Sequence, residues 1–506
     1  MDLSFVETLA DSSSFGLKGW LYKPSISKLS SPLSPPFSHL VLSMDALSLI
    51  SLNHKNILFP LRSGPVIHRL PVEILVEVFL FCQAPLLLSR VCSSWRRIAL
   101  QTPALWTRLV MEVSFDDTWE VPEQHTQAAS YWFSHAGSHL VDLVVRADTD
   151  YPSLHAGPNA RYFADFMMEL VWPRAERIRS LRLSFEGMYD ICCLLQYQDD
   201  EDTLPHHVWN FPHLEYLTID LDTFNVDGVE LTALRSVPKL HTVVLGCVIL
   251  SKEFDIHLPW AQLTSLTIED IEEPLFPVLM AQCLALQTGC FSIRDTDFKE
   301  ELPAVDATLT RLTTFTIHSV NEFNPSVLDG IHFPALNNFS LFLMQRIDDF
   351  VWKASEHMFR QLASITTLSL GEHITAPDMI NILRATENVT TFKVEVEDGH
   401  GEVLKALTLV GGSGNGEVLL PKLGVVHVRE CPRSHSEPFA VIAFVEMVAS
   451  RSPGDVEAWG VAPLRDVWVG ILPYPSTLKA DVDAVLKEWG HKTDMPQVRY
   501  EEYQWY

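Results

Sequence analysis

The sequence predicts an α/β chain in which a short helical unit near the N-terminus precedes a long irregular solenoid with a curved parallel sheet. Three observations carry this. An apolar triplet of constant spacing returns along most of the chain. The stretch after residue 66 switches to helical periodicity. The 506 residues exceed one ordinary compact domain, and a repeat array accommodates that length without a set of unrelated domains.

Composition narrows the function classes. Hydrophobic residues make up 47% and charged residues 20%, so most of the chain can bury a core. Asp and Glu number 64 against 37 Lys and Arg, a formal net charge of -27. That balance argues against nucleic acid and against an anionic membrane surface as partners. No uninterrupted apolar run reaches the roughly 18 residues of a membrane span. The eight cysteines form no C-x-x-C pair and no zinc-spaced group with histidine. Sparse cysteine and the lack of a basic-then-apolar leader place the chain in a reducing compartment, cytoplasmic or nuclear. Residues 1–66, with the Ser/Pro-rich run "KPSISKLSSPLSPPFSHL", read as a disordered leader.

The helical unit follows. Pro71 stands near a helix start, where its missing N–H costs nothing. Leu70, Ile74, Leu75, Val78 and Phe79 share one helical face, and Glu73 and Glu77 lie opposite. A second stripe holds Leu88, Val91, Cys92, Trp95, Ile98 and Ala99. Pro103 ends it, and Leu105 and Trp106 follow as anchors. So short a segment cannot bury this many large apolar groups by itself, so some of them must face a partner or the next domain.

The runs "LPVEILVEVF", "LLLSRVCSSWRRIA" and "PALWTRL" together resemble an F-box, over residues 67–109. The link "CQAP" between the first two helices is shorter than in many relatives. The resemblance implies a subunit that binds a Skp-type adaptor, which docks on a cullin carrying a RING protein and a ubiquitin-conjugating enzyme. Leu70, Pro71, Ile74, Leu75, Val78 and Phe79 would supply the first adaptor contact. Val91, Cys92, Trp95 and Ile98 would supply the second. The alternative is that these side chains only hold the unit together. The segment carries Arg69, Arg90, Arg96, Arg97 and Arg108 against Glu73 and Glu77, a charge of +3 within an acidic chain. A local basic patch would speed encounter with an acidic partner.

The repeat is an apolar residue, two others, an apolar residue, one other, and an apolar residue. Copies begin at Leu140, Ile178, Leu214, Leu240, Leu263, Leu312, Leu336, Ile365, Val389, Leu423 and Leu464, with a degenerate copy at Leu286 (Gly289, Phe291). From Leu214 to Val389 the intervals are 26, 23, 23, 26, 24, 29 and 24, which resembles a leucine-rich repeat. Four copies share a lead-in of apolar residue, Pro, any residue and Leu, as in Phe211-Pro212-His213-Leu214. Each triplet is expected to form a strand with its apolar positions inward. Helices are expected at "APDMINILRAT", "PFAVIAFVEMVASR" and "TLKADVDAVLKEWG". The array is assigned to residues 110–490 and a tail to 491–506. An ordinary α/β domain with a parallel sheet is the alternative architecture.

Other motifs are weak. "VGGSGNGE" (residues 410–417) lacks the Lys-Ser/Thr of a phosphate loop. His135 and His139 have helical metal-ligand spacing with no catalytic Glu between them. His206-His207 beside an acidic run reads as a solvated loop. Asn338 and Asn388 stand in sequons on strands. No catalytic set, metal or cofactor is expected. The sequence therefore points to a non-catalytic substrate receptor of a Skp-cullin-F-box ubiquitin ligase. The alternative is a repeat-based scaffold unrelated to ubiquitin transfer, with the helices capping the solenoid. Substrate contacts would come from outward strand positions such as Glu215, Thr218, Thr264 and Thr267, and the acidity of the array would favour basic substrates.

Overall fold

A computed structural model of the chain describes residues 70–502, apart from 115–122, 149–169, 187–209, 222–229, 232–235, 251–254, 296–302, 320–323, 344–359, 397–400, 410–417, 431–439, 472–477 and 490–495, and positions 257, 372, 457, 458 and 497. The leader, the Gly-rich run at 410–417 and His206-His207 lie outside the described residues, as do Thr477 and Gly490 at the two ends of the last expected helix.

In the repeats from Ile178 to Leu423 the N–H of the first apolar residue closes a turn on the carbonyl three residues before it. Leu214 donates to Phe211 at 3.3 Å, Leu240 to Val237 at 3.1 Å, Leu336 to Phe333 at 3.1 Å and Leu423 to Leu420 at 3.1 Å. Pro212, Pro238, Pro334 and Pro421 take the second position of these turns. There the pyrrolidine ring presets φ. The chain then extends, and the next two apolar positions point inward.

The result is a parallel sheet of fourteen strands whose order follows the chain. The strands are β1 (Arg108–Ser114), β2 (Val141–Asp148), β3 (Ile178–Glu186), β4 (Tyr216–Leu221), β5 (Thr242–Leu250), β6 (Ser265–Glu272) and β7 (Thr288–Arg294). They continue as β8 (Thr314–Ser319), β9 (Asn338–Leu343), β10 (Thr367–Leu370), β11 (Thr391–Val396), β12 (Val425–Glu430), β13 (Asp466–Ile471) and β14 (Val498–Glu502). Every triplet read from the sequence forms one of these strands. Two strands were not expected. β1 starts inside the segment read as the end of the helical unit, and β14 lies within the stretch 491–506 read as a tail. Both carry the same spacing, at Trp106-Leu109-Met111 and Met495-Val498-Tyr500.

The triplet positions stay in register from strand to strand, with irregularities between Val141 and Asp142, Leu245 and Ile249, and Ile268 and Ile271. One buried row runs Leu109, Leu143, Leu181, Leu217, Val243, Leu266 and on to Val467, and ends at the half-buried Val498. A second runs from Met111 through Phe291 and Val428 to Tyr500. The helices Leu275–Gln282, Ala376–Ala385, Val441–Ser450 and Leu478–Trp489 lie between strands. The last three match the sequence expectation; on the third, Val445 and Val448 of the apolar spacing in "PFAVIAFVEMVASR" are buried, whereas Ile442 of the same spacing is exposed.

The degenerate copy has a packing reason. A Cβ on Gly289 would stand 2.6 Å from Phe291 Cε2 and 3.3 Å from Leu286 Cδ2, so the Phe291 ring fills the space a side chain would take. Phe291 then joins a buried aromatic column. It meets Phe276 edge-on at 5.2 Å and Phe315 at 6.0 Å, and Phe315 meets Phe339 at 6.1 Å. Farther along, Arg451 is fully buried at the end of helix Val441–Ser450. Its guanidinium donates to the carbonyls of Leu407 (2.8 Å), Leu420 (3.0 Å) and Leu419 (2.5 Å). Leu420 has φ +50°, so this side chain clamps a strained turn. Burial lowers the guanidinium pKa to about 10.

Leu70–Glu502 form one compact unit. The core does not stop at the boundary expected near residue 109: Trp106 packs on Trp132 at 4.8 Å and on His135 at 4.7 Å.

Two substitutions probe this core. Gly289→Val should lower stability by roughly 1–3 kcal/mol through overpacking, read as a drop in thermal midpoint. Arg451→Met should cost roughly 3 kcal/mol in denaturant unfolding, because three buried carbonyls lose their donor.

Candidate functional site

Three short helices open the described chain: α1 (Val72–Cys82), α2 (Pro85–Val91) and α3 (Ser93–Leu100). Pro71 precedes the first turn of α1, and Pro85 starts α2. The short link "CQAP" works because Gln83 adopts a left-handed conformation, φ +48°, and its N–H donates to Phe79 O at 3.1 Å. A 3-10 turn, Pro103–Trp106, leads into β1.

The apolar face read on α1 divides in two. Leu75 and Phe79 are buried, and Phe79 meets Trp95 at 4.8 Å between ring centres. Leu88, Ile98, Ala99, Leu105 and Trp106 complete this small core. Trp106 Nε1 donates to Ala99 O at 2.9 Å, so the buried indole is satisfied. Ile74 and Val78 point outward instead, and Phe81 joins them at 88% exposure. Spacings of four and seven residues place these three on one stripe of α1, beside the one that carries Leu75 and Phe79.

The outward stripe is part of a larger patch. Of fourteen large apolar side chains exposed among the described residues, eight lie between Leu70 and Val91. They are Leu70, Val72, Ile74, Val78, Phe81, Leu86, Leu87 and Val91. Such a concentration marks a surface awaiting a partner. Of the ten residues named from sequence, Leu70, Pro71, Ile74, Val78 and Val91 are exposed, and Cys92 and Trp95 are half-buried. Leu75, Phe79 and Ile98 are buried, so in the folded chain they support the face without lining it. Sequence reasoning missed Val72, Phe81, Leu86 and Leu87. Phe81 was legible as the next step of the Ile74–Val78 spacing; the leucines needed the orientation of α2. Arg90, Arg96, Arg97 and Arg108 are exposed in the same segment, as are Glu73 and Glu77 on α1.

The other motifs read from the array converge on no reactive site among its described residues. No group of three or more His, Cys, Asp or Glu could hold a metal there. His135 is the last residue of helix Glu123–His135 and packs on Tyr131 at 4.3 Å. Gly137, φ +59°, ends that helix, so His139 leaves the helical face and the pair does not converge. Burial raises the Cys283 and Cys290 thiols to about 12 and about 11, far from reactive thiolates. Asn338 donates to Thr314 Oγ1 at 3.1 Å, and Asn388 to Ala363 O at 2.7 Å, so both amides serve the fold. Thr218 and Thr267 lie on the outward face of the sheet, whereas the carbonyls of Glu215 and Thr264 each receive two N–H groups from the next repeat.

Residues 67–112 match the F-box-like family. No curated protein matches the chain. The match covers α1 to α3, the Pro103–Trp106 turn and the start of β1. The class thus defined is a chain with a helical F-box-like segment leading into a parallel sheet of fourteen strands. No helix among the described residues is long and apolar enough to cross a membrane.

One buried acid gives a pH signature. Burial, and then the adjacent Asp295 carboxyl, raise Glu273 from 4.5 to about 7. Between these values the native state holds more protons than the unfolded chain, so stability falls as pH rises from 4.5 through 7. Glu273→Gln should lose this component. Its melting point relative to the native chain should climb as pH goes from acidic to alkaline, measured by thermal melts across that range.

Proposed function

We propose that the chain is the substrate-recognition subunit of a Skp-cullin-F-box type ubiquitin ligase. The exposed apolar patch on α1 and α2 carries this reading, supported by the F-box-like match over the same residues. A Skp-type adaptor would cover Leu70, Pro71, Ile74, Val78, Phe81, Leu86, Leu87 and Val91, with Cys92 and Trp95 at its margin. Leu75, Phe79 and Ile98 would hold that surface in shape. A cullin would join through the adaptor. The repeats, read as an irregular leucine-rich-repeat-like array, would hold a protein substrate on the outward strand face. The chain would act by position: it raises the effective concentration of a substrate lysine near the conjugating enzyme and does no covalent chemistry.

A scaffold whose helices only cap the array is the second reading. The core shared by Trp106, Trp132 and His135 favours it. A cap, however, has no use for Ile74, Val78 and Phe81 in solvent.

Co-purification with a Skp-type adaptor separates the two. Ile74→Asp with Val78→Asp should abolish adaptor binding and leave the melting point within a degree or two, because both side chains are exposed. Phe79→Ala should instead cost roughly 3–5 kcal/mol of stability. Failure of the native chain to bind any such adaptor would end the receptor reading.

A further inference from the structure

The outward face of the sheet changes character near its C-terminal end. One register row along that face reads Thr218, Val244, Thr267, Cys290, Thr316, Ser340 and Ser369 from β4 to β10. These side chains are small and uncharged. The same row continues as Lys393, His427, Trp468 and Arg499 on β11 to β14. Four large side chains therefore stand side by side at the strand spacing, roughly 4.8 Å per step.

They form a built platform. The His427 and Trp468 rings stack at 5.7 Å with planes 4° apart. The Arg499 guanidinium covers Trp468 at 5.1 Å from the ring centre, and its Nη2 reaches Asp466 Oδ1 at 3.3 Å. Next to this row, Arg429 Nη1 donates to Glu395 Oε1 at 3.0 Å. In that pair the cation is the accessible partner: the Arg429 side chain is 50% exposed and Glu395 18%. Lys393 is exposed at the end of the row. Inward positions of the same strands, Val394, Val428 and Val469, are buried, so the core explains none of the outward residues.

Solvent gives no reason to line up Trp, His and two cations, whereas a protein interface does. Trp and Arg dominate interface energetics, and side chains already stacked lose little freedom on binding. We infer that Lys393, His427, Arg429, Trp468 and Arg499 form a docking site for an acidic peptide segment of a partner protein. Trp468 is the apolar anchor, and the three cations meet carboxylates. The site reverses, locally, the preference for basic partners that the net charge of -27 suggests. Calling the partner a substrate rests on the receptor reading; the docking site itself does not.

The test uses the full chain and short fluorescein-labelled peptides, oligo-glutamate and oligo-lysine of equal length, titrated by fluorescence anisotropy at low salt. Oligo-glutamate should bind, and added salt should weaken it. Lys393→Glu, a change at an exposed side chain, and Trp468→Ala should each weaken it by roughly tenfold. Arg499→Lys should weaken it less than Trp468→Ala. Adaptor co-purification of the same variants should be unchanged, so a failed receptor reading and a failed docking site give different results. No binding of oligo-glutamate, equal or tighter binding of oligo-lysine, or an unchanged affinity in Lys393→Glu would overturn the inference.

Discussion

Everything in the described chain depends on one repeated backbone arrangement. From β4 to β12 a carbonyl just ahead of the strand accepts two N–H groups from the next repeat. Glu215 O receives His241 and Thr242, His241 O receives Thr264 and Ser265, and the chain of pairs continues unbroken to Gly424 O, which receives Arg465 and Asp466. Each repeat is thus held at one register relative to the last. Hydroxyls of Thr264, Thr366 and Thr390 donate to the same set of carbonyls.

Register is what makes a stack of small units stable. No single repeat buries its own apolar residues, so each must present them to a neighbour at the same height. A slip of one residue would turn Leu217 or Val243 to solvent and bring Thr218 or Val244 inside. With register held, two rows run the length of the sheet as a continuous core. The same constancy aligns the outward side chains, so that Trp468 finds His427 on one side and Arg499 on the other. The surface is ordered because the core is.

The helical unit joins this system at its N-terminal edge. Trp106 has its indole N–H satisfied within the unit and its ring against the first long helix of the array. With one side of the unit spent on this joint and on its small core, the remaining apolar residues of α1 and α2 stay in solvent. This explains how a segment of three short helices can be both well packed and left with a large exposed patch.

Much of this was legible in the sequence. The triplet spacing located strands β2 to β13 because period-two burial leaves an unmistakable mark, and the Leu-Pro and Val-Cys-x-x-Trp elements located the helices. The spacing also held the two missed strands, but β1 was hidden by its overlap with the end of the helical segment and β14 by its place in the stretch read as a tail. What the sequence could not decide was direction. Ile74 and Leu75 are neighbours of equal hydrophobicity, and only the placement of α3 makes one of them surface and the other core. Likewise Lys393, His427, Trp468 and Arg499 are scattered over a hundred residues and carry no motif. By itself the sequence determined the periodicity, and with it the class of fold and the kind of N-terminal segment. The tertiary structure alone decided which apolar residues remain free for a partner and which distant side chains meet. Both depend on the register between elements far apart in the chain, which local patterns do not encode.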